Sequence, residues 1–229
     1  MKGIAEIFAR WTGKPTLPEN YNWYGQACAD SALLKTKISE IRFVVVDTET
    51  TGLNPRKDQI LSIGAVSVLN FAVRVGDSFD AHLKQQYFNN DSIAVHEITP
   101  GKSADAQDSG EVMVQFLEYL RGSVFIAHYA HFDYQIISQL LKKHQGFGLQ
   151  NQIYDTMWLL PRIDDHFRHP DLVKPGEFGL ESLCMRYHIP QSDLHTALGD
   201  AFATALLFAR LLKKLELRGV NTLQDLLRR

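Results

Sequence analysis

Cysteine is scarce in this chain: Cys28 and Cys184 are the only two in 229 residues, and they stand far apart. That excludes a disulfide framework and a cysteine zinc site, and such usage suits a reducing cytoplasm. Neither sign of charge is in excess, with 24 basic and 26 acidic side chains and a net charge of −2. The broad basic footprint of a protein that grips duplex backbone is therefore missing. An enzyme that holds only a chain end through metal ions needs no such footprint. No run approaches the ~18 apolar residues of a membrane span, so no membrane partner is expected. The opening MKGIAEIFARW is broken by Glu6 and Arg10 and does not read as a secretory leader. Repeats and low-complexity tracts are also absent. With 45% hydrophobic and 22% charged residues the composition is that of a folded globular protein, which rules out a disordered one. The length suits one domain, with or without an extension.

Residues 1–40 differ in texture from the rest, with Trp11, Tyr21, Trp23 and Tyr24 around Pro15 and Pro18. They are expected to form an amino-terminal helical extension, with helices over about 3–11 and 25–37. From Ile41 the pattern changes. Phe43-Val44-Val45-Val46 is a continuous run, as in a strand buried on both faces. Strands are also expected over 59–69, 71–75, 123–127 and 152–154. Helices are expected over 108–121, after Ala127, over 179–188 and 196–217, and after Asn221. Three leading strands followed by strand–helix alternation indicate an α/β fold with a mixed sheet. The main domain is set at residues 41–217, with a carboxy-terminal helical tail over 218–229. Residues 163–178 carry charge, proline and glycine, and read either as a lid or as a plain surface loop.

Three carboxylate positions conflict with their surroundings, and such conflicts mark functional sites. Asp47 and Glu49 follow the buried strand at i and i+2, so both project from one face of its end. Two like charges so close are costly unless a cation lies between them. A turn-forming role for Asp47 remains open, since Thr50, Thr51 and Gly52 follow. Asp133 lies past another apolar strand, where an acid also suits a helix start. Asp200 is the only charge in ALGDAFATALLFA, an expensive place for an aspartate without a metal or partner. His195 lies five residues earlier and could meet Asp200 only from outside the helix. A capping role is its alternative. Other patterns fail: His96-Glu97-Ile98-Thr99-Pro100 is not a zinc HExxH motif, and Phe8 stands where a P-loop needs glycine.

Together these residues resemble the DEDDh group of DnaQ-like 3′–5′ exonucleases, the family of the proofreading subunit of bacterial replicative polymerase. The first motif is Asp47-Thr48-Glu49-Thr50-Thr51-Gly52-Leu53 and the second His128-Tyr129-Ala130-His131-Phe132-Asp133. The third is His195-Thr196-Ala197-Leu198-Gly199-Asp200, after Leu180-Glu181-Ser182-Leu183-Cys184. Ile63-Gly64-Ala65 and Val95-His96-Glu97-Ile98-Thr99 fit secondary signatures. Tyr129 stands where the family has asparagine, and Glu97 where it has glycine.

The resemblance implies an RNase H-like mixed five-stranded sheet flanked by helices. It implies that Asp47, Glu49, Asp133 and Asp200 hold two divalent cations, Mg²⁺ or Mn²⁺, and that His195 is the general base. Thr50 and Leu53 would lie beside the terminal nucleotide, and His96 would touch substrate. Asp91 matches an acidic position or serves as a plain loop residue. The expected activity is 3′–5′ hydrolysis of nucleic acid from single-stranded or frayed ends, DNA favoured, releasing nucleoside 5′-monophosphates. A polymerase or repair protein is an expected partner. The alternatives are an RNA-directed exonuclease and a non-catalytic docking module of the same fold.

Overall fold

The Phe43–Val46 run forms the middle of a five-stranded sheet in the computed structural model, which describes residues 17–84, 106–191, 193 and 195–228. The strands are β1 (Phe43–Thr50), β2 (Ile60–Leu69), β3 (Ala72–His82), β4 (Val124–Ala127) and β5 (Ile153–Asp155). Their order across the sheet is β3-β2-β1-β4-β5. β1, β2 and β3 pair antiparallel, while β4 and β5 run parallel to β1. The sheet is mixed, as expected.

The apolar run of β1 is unbroken because both faces are covered. Val44 and Val46 face one core with α2 (Ser109–Leu120) and α3 (His131–Gln145). Phe43 and Val45 face the other, under α6 (Ala197–Glu216), where Phe43 and Phe208 meet edge to face at 5.1 Å. The helix ends follow local chemistry. Asp108 accepts from the Gly110 and Glu111 amides to start α2, and Gly146 ends α3 at φ 85°. Short helices α4 (Leu160–Ile163), α5 (Leu180–Arg186) and α7 (Leu223–Leu227) complete the α6 side.

Some boundaries differ from expectation. The helix expected over 25–37 is instead α1 (Asn22–Cys28) followed by a 3₁₀ turn at Ser31–Lys35. Asp30, extended at ψ 104°, breaks it by accepting a hydrogen bond from the Ala32 amide. The strand expected over 71–75 runs from Ala72 to His82, and Asn70 and Phe71, both left-handed, turn β2 tightly into it. The helix expected over 3–11 lies outside the described residues. Residues 163–178 fold into short turns. Glu177 binds His166 and the Lys174 amide, and Asp164 pairs with Arg186 at 2.7 Å.

Tyr24 is wholly buried in the α2–α3 core; its hydroxyl donates to Asn151 and accepts from the Gln150 amide. Tyr21 packs its ring on Phe147 at 4.9 Å and donates to Gln145. At the opposite end of the chain, Leu223 and Leu226 enter the α6 core. Among the described residues no helix is long and apolar enough to cross a membrane.

Candidate active site

Asp47 and Glu49 leave the carboxyl end of β1 on the α6 side, the face of Phe43 and Val45. Asp200 comes to meet them from the first turn of α6. That turn begins at Thr196, whose hydroxyl accepts from the Gly199 amide. One carboxylate oxygen from each of Asp47, Glu49 and Asp200 lies within 4.8 Å of the others. The close approach depends on Gly64 of β2, opposite Asp47 in the ladder. A Cβ there would stand 2.1 Å from the Ala197 carbonyl carbon and the Leu198 nitrogen. Glycine at this position lets α6 press onto the sheet.

Asp133 reaches the group from the other side. It sits in the first turn of α3, buried, and accepts a hydrogen bond from Thr48 Oγ1 at 2.7 Å. It stands outside the three-carboxylate cluster. Its charge nevertheless raises the proton affinity of Asp47 and Glu49.

The electrostatics are those of negative charge held together without compensation. Burial, then the charges of Asp133, Asp200 and Glu49, push Asp47 well above the usual carboxylate range. Burial and the charges of Asp200 and Asp133 push Glu49 up to about 7. Asp133 rises to about 7 mainly through burial, opposed by the Thr48 hydrogen bond. Burial also raises Asp200, opposed by the backbone amide and charge of His195. An all-oxygen donor set with surplus negative charge fits hard divalent cations such as Mg²⁺ or Mn²⁺.

His195 lies outside α6, in a left-handed conformation at φ 65°, and donates its backbone N–H toward Asp200. Its ring is exposed, with Nε2 3.7 Å from Glu181 Oε1 on α5. The loop after β1 is organised by Asp58, which accepts from the Asn54 amide and the Thr51 hydroxyl. Gly52 packs against that carboxylate, where a Cβ would come within 2.7 Å. Thr50 donates to the Gly52 carbonyl, and Leu53 stands out from the loop, 89% exposed. Asp91 and His96 lie outside the described residues.

Sequence reasoning gave no role to two supporting groups. Asp155, at the end of β5, accepts from the Ala130 and Met157 amides and so fixes the turn that leads to Asp133. His128 is half-buried, and desolvation holds it down to about 4; its ring bridges Thr156 Oγ1 and the Phe178 carbonyl, both at 2.8 Å. Asp155 follows an apolar strand as Asp47 does, and that shared pattern was the available signal. Tyr129, the neighbour of His128, takes φ 57° and remains 52% exposed.

Comparison with known proteins agrees with this geometry. The family described as Exonuclease (RNase T) matches residues 44–208. A DNA polymerase III subunit epsilon-like protein of Rhodobacter capsulatus is 36% identical over 199 residues, 84% of this chain and 27% of that protein. A PolC-type DNA polymerase III of Caldanaerobacter subterraneus is 32% identical over 188 residues, 82% of this chain and 13% of that protein. The chain therefore spans about a quarter or less of the length of these curated relatives. Among solved structures, Escherichia coli exonuclease I in a single-stranded DNA complex aligns with TM-score 0.64 and 19% identity, over 78% of this chain and 42% of that one. Exonuclease X, solved with 5′-overhanging duplex DNA, aligns with TM-score 0.56 and 22% identity, over 75% of this chain and 91% of that one. These likenesses establish the RNase H-like fold. With most of its length matched and its carboxylates gathered where β1 ends, the chain belongs to the exonuclease family.

Proposed function

We propose that residues 41–217 act as a metal-dependent 3′–5′ exonuclease that releases nucleoside 5′-monophosphates, with DNA the favoured substrate. The observation that carries this reading is the convergence of Asp47, Glu49 and Asp200 within 4.8 Å, with buried Asp133 beside them. Two divalent cations, Mg²⁺ or Mn²⁺, held by these four residues would neutralise the cluster and supply Lewis acidity at the scissile phosphate. The chain's own groups do the rest. Thr48 and Asp155 fix Asp133 and the turn before it. His195, exposed at the edge of the cluster, takes the proton of the attacking water. Leu53 offers an apolar surface to the terminal base, and Thr50 lies beside the terminal sugar.

The relatives' names, both of DNA polymerase III proteins, support a polymerase as partner; a role in proofreading or repair, a repair protein as the alternative partner, and the cytoplasm as the place of work belong to the same proposal. Residues 1–40 and 218–229 serve in this reading as flanks without a chemical role. The deciding experiment uses end-labelled single strands, duplexes and closed circles of DNA and RNA, with Mg²⁺, with Mn²⁺ and in excess chelator. Mononucleotides released stepwise from the 3′ end of DNA, only with metal, are expected. Rapid cutting of circles, or full activity in chelator, overturns the reading. Preference for RNA strands would replace DNA as the substrate.

A further inference from the structure

Among the described residues, Tyr129 is the only exposed phenylalanine, tyrosine or tryptophan. Tyr21, Tyr24, Tyr119, Tyr134 and Tyr187 instead turn their hydroxyls to partners within the fold. The Tyr129 backbone is also costly. Its φ of 57° lies in the left-handed region, which asparagine or glycine enters readily and a bulky side chain does not. The surroundings hold it there. The next amide, of Ala130, donates to Asp155, and the Phe132 amide donates to the Tyr129 carbonyl at 3.1 Å. The Tyr129 ring meets the His128 ring edge to face at 4.7 Å, and both nitrogens of that ring are engaged. Strain fixed in this way gathers where a binding group has to be aimed.

The left-handed turn decides where the ring points. On an extended chain, His128 and Tyr129 would face opposite sides of the sheet. Here their rings lie together. His128 is on the α6 side, bonded to the carbonyl of Phe178, which packs against the α6 core. β4 runs parallel to β1 with Val45 beside Ile126, and two residues further on the same register brings His128 level with Asp47. The Tyr129 ring therefore stands on the face from which Asp47 and Glu49 leave, one strand away, ~5 Å. Leu53, also exposed, rises from the loop that leads to β2, the neighbour of β1 on its other side. A fixed, exposed aromatic face beside the carboxylates suits a flat aromatic group, and every nucleobase presents one.

We propose that Tyr129 is a stacking platform for a nucleobase near the end of the bound strand, which it holds over the carboxylate cluster. That the ligand is a nucleic-acid strand rests on the exonuclease reading. Stacking reads the presence of a base and not its identity, so the platform serves any sequence.

The test uses the whole chain and short single strands of DNA carrying the fluorescent base 2-aminopurine at one of the last few positions. In excess chelator, binding is read without hydrolysis. The parent is expected to quench the fluorophore, and Tyr129→Asn to bind about tenfold more weakly with the quenching lost. Tyr129→Phe keeps the ring and should bind and quench as the parent does. With Mg²⁺, Tyr129→Asn should raise KM about tenfold while kcat falls less. A strand whose last positions are abasic should be handled alike by parent and variant. Asparagine takes φ 57° without strain, so the variant should fold, and a melting curve checks that. Unchanged binding and quenching in Tyr129→Asn overturns the proposal. So does an equal loss on normal and abasic strands, or a Tyr129→Phe variant as weak as Tyr129→Asn. A parent that binds and quenches strands through Tyr129 but hydrolyses none with either metal would sink the exonuclease reading and leave the platform standing. Intact hydrolysis with no dependence on Tyr129 would do the reverse.

Discussion

Asp47 and Asp200 bring opposite consequences to activity and to stability. Replacing either by alanine should abolish hydrolysis and yet raise the melting temperature of the metal-free protein near neutral pH, because like-charge repulsion is relieved; melting curves and a labelled-strand assay measure both. Unchanged hydrolysis in either variant would remove these residues from the mechanism. Glu49 and Asp133 carry the pH dependence, both pushed up to about 7. Each binds its proton more tightly folded than unfolded, so the stability it contributes is full below about pH 4 and is lost as pH rises through about 7. Metal-free protein should melt lower at about pH 8 than at about pH 6, and Mg²⁺ should recover most of the difference. A flat profile in chelator would contradict this. His128 acts in the opposite direction. Held down to about 4, it binds its proton less tightly folded than unfolded, so its contribution is full above about 6.5 and is lost toward pH 4, by about 3 kcal/mol. His128→Gln should flatten the acid limb of the stability curve. The four candidate acids, Asp47, Glu49, Asp133 and Asp200, were legible because each broke a rule of its surroundings, as Asp200 did in an otherwise uncharged stretch. Thr48 and His128 broke none, since each is satisfied by a partner that only the folded chain supplies.

Gly64 shows how one element places another. Gly64→Ala would drive a methyl group into the backbone of Ala197 and Leu198, lifting the first turn of α6 and Asp200 with it. We expect loss of stability of about 1–3 kcal/mol and a much larger loss of metal affinity, read by denaturant unfolding and by Mg²⁺ titration of the melting temperature. A variant with unchanged metal affinity would mean that the approach of α6 does not set the cluster. The central strands and long helices could be read from β-branched runs and helical spacing. β3 was read short because its exposed edge gives weak alternation past Val75, where the pairing with β2 shifts between Val66 and Ser67. The end of α1 was missed because Asp30 acts through a single side-chain bond to the backbone, a local choice that hydrophobic spacing does not register.

In the molecule as a whole, the amino-terminal segment is a part of the α2–α3 core. Removing the residues before Lys37 would strip Tyr21 and Tyr24 from Phe147 and leave Asn151 short of a partner. Such a shortened chain should keep the carboxylate cluster but melt at lower temperature; Tyr24→Ala alone should cost about 3–5 kcal/mol. Equal melting temperatures would show that the segment adds nothing to the fold. The segment entering β1 and the one entering α7 are joined directly. Lys37 bridges to Thr222, the Ile38 amide donates to the Asn221 carbonyl, and the Leu223 amide donates to the Thr36 carbonyl. The stretch from β1 to the end of α6 is thus closed at its base, like a loop tied at its neck, with Tyr21 and Tyr24 packed beyond the knot on one side and Leu223 and Leu226 on the other. An end that frays on either side must break this backbone tie before the loosening reaches β1 or the last turns of α6.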